Sequence, residues 1–309
     1  MTVVGKRQEW LGWVGHELRQ IQYSDSAGAG TGGGVPPAPS TVGTKRDFGY
    51  DSIGRLSADV IAEYTSPRVA VGQPSTVVGT PSGWQAYEYD NGGNVSAQTI
   101  GFPGSTANGK HLYGYDKADR LTSWTSPSGA ATAYGYDGSG NRVLAGGSTF
   151  EFDARNQLTV EKQAGVTKAT FAYTPRGTLK TESRDGVATN SVVDGLGRVV
   201  QVGAVSYNYD GMDRVTSRAE GATSAAFAYS GLGSDPVSDG TATYYRTPTG
   251  RPLALTRNGQ TNWVATNRHG DATMLHTAGS SPVVASQAFD PWGTPITPVV
   301  APIGSVQLD

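Results

Sequence analysis

The chain has 309 residues, with 24 Lys and Arg against 26 Asp and Glu, a formal net charge of −2 and no Cys. Charged residues make up only 16% of it, so there is no electrostatic footprint for DNA, RNA or an anionic membrane. Without Cys there are no disulfides, no thiolate metal site and no Cys nucleophile.

The opening residues, MTVVGKRQEWLGWVG, lack the long apolar core of a Sec-type signal. No later run approaches the ~20 apolar residues of a spanning helix. Residues 1–23 read as a decayed copy of the repeat unit found further on, with Trp10 in its aromatic slot and Leu18 opening the return strand. A short helix is the alternative, which Gly12 and Gly15 disfavour. Residues 24–44, SDSAGAGTGGGVPPAPSTVGT, form a Gly-rich then Pro-rich loop. A phosphate-binding loop would need a helix to follow, its N-terminus facing the phosphate. Pro36, Pro37 and Pro39 stand there instead, so the stretch reads as a flexible excursion.

From Phe48 a decamer recurs, clearest in YGYDKADRLT at Tyr113–Thr122 and YGYDGSGNRV at Tyr134–Val143. Its two aromatics alternate with other residues, which is strand periodicity and puts both rings on one face. Asp-x-x-Gly then reads as a type I turn. Such a turn favours a side-chain acceptor first and a residue tolerant of positive φ fourth. An apolar residue such as Leu121 opens the return strand and completes a β-hairpin.

The first turn position is Asp51, Asp90, Asp116, Asp137, Asp153, Thr174, Asp194, Asp210, Ser230, Thr247, Asn267 and Asp290. All twelve carry a short side-chain oxygen. The fourth is Gly54, Gly93, Asp119, Gly140, Asn156, Gly177, Gly197, Asp213, Gly233, Gly250, Gly270 and Gly293. Here Gly dominates, and the exceptions are Asp or Asn, the next most tolerant of left-handed geometry. Pro175, Pro248 and Pro291 occupy second positions, where their fixed φ suits the turn. After Asp90 the turns fall 16 to 26 residues apart. That suits one hairpin per repeat in a continuous antiparallel sheet, and is too short for a propeller blade. Ser57–Trp84 leaves room for a degenerate hairpin, and the prolines of Ile296–Asp309 argue against an inner strand.

Phe/Tyr-x-Tyr-Asp-x-x-Gly-Arg/Asn-Leu/Val resembles the YD-repeat motif of the Rhs family, which includes bacterial polymorphic toxins and the shells of teneurins and Tc-toxin components. FGYDSIGRLS, YEYDNGGNVS, YGYDKADRLT, YGYDGSGNRV and YNYDGMDRVT match it closely, and FEFDARNQLT, FAYTPRGTLK, SVVDGLGRVV and FAYSGLGSDP loosely. NRHGDATMLHTAGSSPVVASQAFDPWGTP is similar to the end of an Rhs core. The resemblance covers Phe48–Pro295. It implies an all-β fold of repeated antiparallel hairpins forming a coiled sheet, a spiral YD-repeat shell or part of one. The expected division is 1–47, a decayed repeat plus loop; 48–295, the repeat shell; and 296–309, a Pro-containing tail. In the resembling toxins a following module with Asp-Pro-x-Gly-Leu cuts the shell from its toxic C-terminal domain. Neither Asp235-Pro236 nor Asp290-Pro291 has that order, so no catalytic residue carries across.

The residues themselves offer several chemistries to weigh. Of His16, His111, His269 and His276, the last two could meet across a hairpin near Asp271, but no third convergent ligand is identifiable. The loops Asp90–Asn94 (DNGGN) and Asp137–Asn141 (DGSGN) resemble fragments of calcium loops without the terminal bidentate Glu. There is no Gly-x-Ser-x-Gly elbow. Two Asp could converge as in a glycosidase, although each repeat Asp already has a turn to form. Tyr and Trp could stack on sugars, although alternating aromatics more often pack as cross-strand ladders. No catalytic, cofactor-binding or metal residue is assigned.

Size limits what the chain can enclose. At roughly 16 Å² of sheet per residue, all 309 residues would close a sphere with an inner radius of about 15 Å. A folded domain of ~100 residues needs about 17 Å. The chain is therefore a panel of a larger shell or a small barrel-like body closed on its own side chains. The resemblance implies the role of a structural shell segment, encapsulating or presenting a C-terminal toxin effector in intercellular competition. Its partners would be that cargo or adjoining shell segments, and its place secreted or at the bacterial cell surface. The alternative is a stand-alone surface module binding a carbohydrate or receptor. No enzyme activity, cofactor, nucleic acid or membrane span is expected.

Overall fold

In the computed structural model, residues 2–4, 7–14, 17–24, 43–64, 81–247, 250–277 and 283–300 are described. The fold is all-β: 28 strands, with no helix among the described residues. Successive strands pair antiparallel, as alternating short strands and turns require.

Eleven of the twelve predicted turns form. In each, the fourth residue's N–H donates to the first residue's carbonyl, as in Gly54 to Asp51 at 3.1 Å and Asp213 to Asp210 at 3.2 Å. The fourth residue has positive φ in all eleven, including Asp119, Asn156 and Asp213 at 58°, 59° and 61°. The first residue's N–H then reaches the fifth residue's carbonyl, as in Asp116 to Arg120 at 3.0 Å. This is a type I turn with a glycine-type bulge. The register slips one residue further at the second aromatic, for example between Gly135 and Tyr136, and between Asn208 and Tyr209. The twelfth copy departs. At Ser230, Gly231 takes the positive φ (69°) and Gly233 does not. Tyr229 pairs with Pro236, so this loop is one residue longer than the one joining Tyr209 to Val215. The far ends of several hairpins close with two left-handed residues: Ala164–Gly165, Asp185–Gly186 and Asn258–Gly259.

The N-terminal expectation is met in its strands and shifted in its register. Arg7–Val14 and Glu17–Ser24 pair antiparallel and slip between Gly12 and Trp13. Trp13, opposite Leu18, therefore takes the place of the second aromatic rather than Trp10. Leu56–Tyr64 and Pro81–Tyr89 pair directly with each other. The predicted Gly/Pro loop at 25–42, the middle of Ser57–Trp84 at 65–80, His16, Pro248 and residues 301–309 lie outside the described residues. Pro295–Val300 forms a strand against Val283–Phe289, so the last hairpin crosses the expected boundary at 296.

The chain divides into two compact units. The first comprises Met1–Tyr113, Ser126–Gly129 and Tyr244–Asp309. Within it, early and late strands share one core: Ile61, Ile100 and Phe102 pack with Ala265, Met274 and Ala288. Ile21 packs likewise with Leu253, Ala254 and Trp263. Gly83 is required by this packing, because a Cβ there would lie 2.5 Å from Met274 Sδ. A buried polar network stitches the same strands. Arg46 forks onto Asp59 through Nε to Oδ1 at 2.7 Å and Nη2 to Oδ2 at 2.6 Å, and also donates to the Thr266 carbonyl at 3.0 Å. Gln85 donates to Asp59 at 3.0 Å. Thr44 donates to the Thr277 carbonyl at 2.7 Å, and Ser286 to that of Pro103 at 3.2 Å.

The second unit comprises Gly114–Thr125 and Ala130–Thr243. Among its described residues only Tyr134, Ala169 and Ala242 are fully buried, and none of the three core clusters lies in it. It is a single-layer antiparallel meander, in which each strand touches chiefly the strands before and after it.

Candidate functional site

The residues that define the repeat converge at its turn. Asp116 Oδ1 accepts the N–H groups of Ala118 at 2.8 Å and Arg120 at 3.0 Å, and Oδ2 accepts Arg120 Nε at 2.8 Å. The same three bonds recur at Asp51 with Arg55, Asp194 with Arg198 and Asp210 with Arg214. The carboxylate thus orders its own turn and aims the following guanidinium. These bonds hold Asp116 below the ordinary carboxylate pKa, the Arg120 N–H contributing most and its side chain next, against a smaller rise from burial.

The aimed Arg reaches the next repeat. Arg120 lies over the Tyr136 ring at 4.6 Å from its centroid, Arg55 over Tyr89 at 4.2 Å, Arg198 over Tyr209 at 5.0 Å and Arg214 over Tyr229 at 4.6 Å. Each of these tyrosines donates its hydroxyl back to the first apolar residue of the earlier return strand. Tyr136 reaches the Leu121 carbonyl at 2.9 Å, Tyr89 that of Leu56 at 2.6 Å, Tyr209 that of Val199 at 2.7 Å and Tyr229 that of Val215 at 2.8 Å. Burial raises the Tyr136, Tyr209 and Tyr229 phenols above their ordinary pKa. In these four copies aspartate, arginine, tyrosine and the apolar carbonyl form a staple from one hairpin to the next. Sequence reasoning placed the Asp and the Tyr but gave the Arg no task. Its signal was present, since Arg follows the turn in these four copies and a Tyr stands before the next.

The other candidates separate. His269 is exposed in the turn after Asn267, whereas His276 is fully buried and paired in register with Trp263. Asp271 Oδ2 accepts Asn267 Nδ2 at 2.7 Å. His111 is buried with Nε2 2.8 Å from the Ala107 carbonyl, and burial lowers its pKa. Asp90 and Asp137 spend their oxygens on their own turns, Asp137 on Ser139 N, Asn141 N and Asn141 Nδ2 at 2.9, 2.8 and 2.8 Å. Asp290 accepts Trp292 N and Thr294 N, both at 2.8 Å. Among the described residues, no group of three His, Asp or Glu side chains is placed to hold a metal ion.

Residues 115–149 match the family model of the RHS Repeat, and that span contains one complete staple, from Asp116 and Arg120 to Tyr136. That stretch is an Rhs/YD-type repeat. It is 28% identical over 213 residues to the tRNA3(Ser)-specific nuclease WapA of Bacillus spizizenii, a match covering 68% of this chain and 7% of that protein. Similar solved structures include the crystal structure of TcdB2-TccC3-TEV, at 14% identity and TM-score 0.40, matching 94% of this chain and 19% of that one. A Tc holotoxin pore of Photorhabdus luminescens matches at 11% identity and TM-score 0.32, over 94% of this chain and 22% of that one. The chain thus spans 7% to 22% of the length of these relatives.

Proposed function

We propose that this chain is a wall segment of an Rhs-type β-shell, which sequesters and presents a C-terminal toxin effector in competition between bacterial cells. The observation that carries this reading is the second unit. Its hairpins are stapled one to the next by side chains, yet it buries almost nothing of its own. Material of that kind makes a wall rather than a core. By sheet area, a folded effector of ~100 residues needs more wall than 309 residues supply. Cargo and adjoining shell segments are therefore the partners proposed, with residues 48–295 as the repeat region and a secreted or cell-surface location. The chain would do no chemistry itself. A sugar-stacking role is less favoured, because arginine guanidinium groups already cover the Tyr89, Tyr136, Tyr209 and Tyr229 rings.

Peptide mapping of the native protein, combined with limited proteolysis, tests the proposal. The expected result is sequence continuing past Asp309 into a domain that resists protease while the shell is intact. A native end at Asp309 would remove the cargo role.

A further inference from the structure

We infer that Asn91 is a site of spontaneous deamidation, singled out by the one repeat turn that leaves the reacting backbone nitrogen unguarded. Nine of the observed turns begin with Asp or Asn. In eight, the side-chain Oδ1 accepts the N–H of the third turn residue: Ile53, Ala118, Ser139, Arg155, Leu196, Met212, His269 and Trp292, at 2.8 to 3.1 Å. The ninth is Asp90. Its Oδ1 accepts only Asn94 N at 2.9 Å, and its Oδ2 faces Asn94 Nδ2 at 3.4 Å. The third residue of this turn is Gly92, preceded by Asn91, and both are exposed. Among the hydrogen bonds of the described residues, none holds the Asn91 side chain or the Gly92 N–H.

The chemistry needs only water. The Gly92 backbone nitrogen attacks Asn91 Cγ, the bond from Cγ to the side-chain nitrogen breaks, and ammonia leaves with the proton from the attacking N–H. Water then opens the succinimide at either carbonyl, giving Asp or isoaspartate. Gly at the following position brings no Cβ to shield the attack. An amide N–H held by a side-chain oxygen, a carboxylate in seven of the other eight turns and the Asn267 amide in the eighth, is harder to deprotonate and cannot swing toward Cγ. Isoaspartate adds a backbone atom inside a turn closed by Gly93 N to Asp90 O at 3.1 Å and Asp90 N to Asn94 O at 2.9 Å. Ageing at Asn91 would therefore open this hairpin end.

The chain contains its own comparison. Asn108–Gly109 is another Asn-Gly pair, but Asn108 is clamped, with Oδ1 accepting Phe102 N at 2.7 Å and Nδ2 donating to Phe102 O at 2.8 Å. Asn258–Gly259 turns in a two-residue left-handed loop, φ 50° and 73°, a different geometry. The test is to hold the full chain in mildly alkaline buffer at body temperature and follow the tryptic peptide 69–110, which holds both Asn91 and Asn108, by mass spectrometry with fragmentation that localises each site. Asn91 should convert into aspartate and isoaspartate several-fold faster than Asn108. Gly92 is not at positive φ, so Gly92→Ala keeps the turn and should slow the conversion several-fold. Equal rates at Asn91 and Asn108, or no slowing in Gly92→Ala, would overturn the assignment.

Discussion

Arg198 lies over the ring of Tyr209, 5.0 Å from its centroid, while the same guanidinium grips Asp194 at 2.7 Å and Asp213 at 3.1 Å. One side chain thus joins its own turn, the next turn and the next aromatic. Lys cannot present a planar fork and a stacking face together. Arg198→Lys is expected to cost about 1–2 kcal/mol in urea melts. A double-mutant cycle with Tyr209→Leu should give a coupling of at least about 0.5 kcal/mol. Strict additivity of the two losses would remove the stacking from the staple.

The turn carboxylates set an acid limit. Asp116 is held below its ordinary 3.8, as are Asp194 and Asp210. A folded pKa below the unfolded one means that the contribution is complete above about pH 4 and fades as pH falls through the folded value. Asn267 shows that an amide can take the same place, its Oδ1 accepting His269 N at 2.9 Å and Asp271 N at 3.0 Å. Asp116→Asn should therefore keep most of the stability at pH 7 and flatten the loss below pH 4, whereas Asp116→Ala should lose stability at every pH. The two variants behaving alike at pH 7 would contradict the acceptor role.

Gly140 has φ 88°, and a Cβ built on it would meet nothing within 4 Å. Any penalty at this site is therefore a backbone penalty. Gly140→Val is expected to cost about 1–3 kcal/mol, while Lys117→Ala, at the second position of a neighbouring turn, should stay within about 0.5 kcal/mol. Similar denaturation midpoints for both would refute the turn geometry. In the opposite direction, Ala164 sits at φ 48° where other hairpins place Asp185 or Asn258. Ala164→Asn should gain a few tenths of a kcal/mol or more, since Asn tolerates left-handed geometry better.

In the first unit, Asp59 is fully buried and accepts from both Arg46 and Gln85. Removing it leaves a guanidinium without its counter-charge. Asp59→Ala is expected to cost about 3–5 kcal/mol. The double change Arg46→Met with Asp59→Leu should cost far less. If the double variant unfolds as readily as the single one, the pair is stabilising in itself rather than merely costly to break.

The hairpins were legible because every copy is complete within ten residues. Oxygen acceptor, positive-φ residue and apolar return all sit in a short window, and eleven copies obeyed them. Ser230 did not, because Gly231 offered an earlier left-handed position. The Arg task was hidden by distance, since Arg198 acts on an aromatic in the following repeat. The shared core of the first unit was hidden more deeply. Alternation marks Ile61 and Met274 as inward-facing, but nothing local says that they face each other across more than two hundred residues. Buried Arg46 and Gln85 gave no apolar pattern to read.

The staple has a consequence for how such chains change over generations. At Arg55, Arg120, Arg198 and Arg214 a repeat offers an arginine forward and the one after it a tyrosine backward, so these four joints are made from the same two halves. A duplication or deletion with both breakpoints at the same phase of such copies rejoins an arginine to a tyrosine and a hydroxyl to a carbonyl. The sheet can therefore lengthen or shorten by whole hairpins without inventing a new seam.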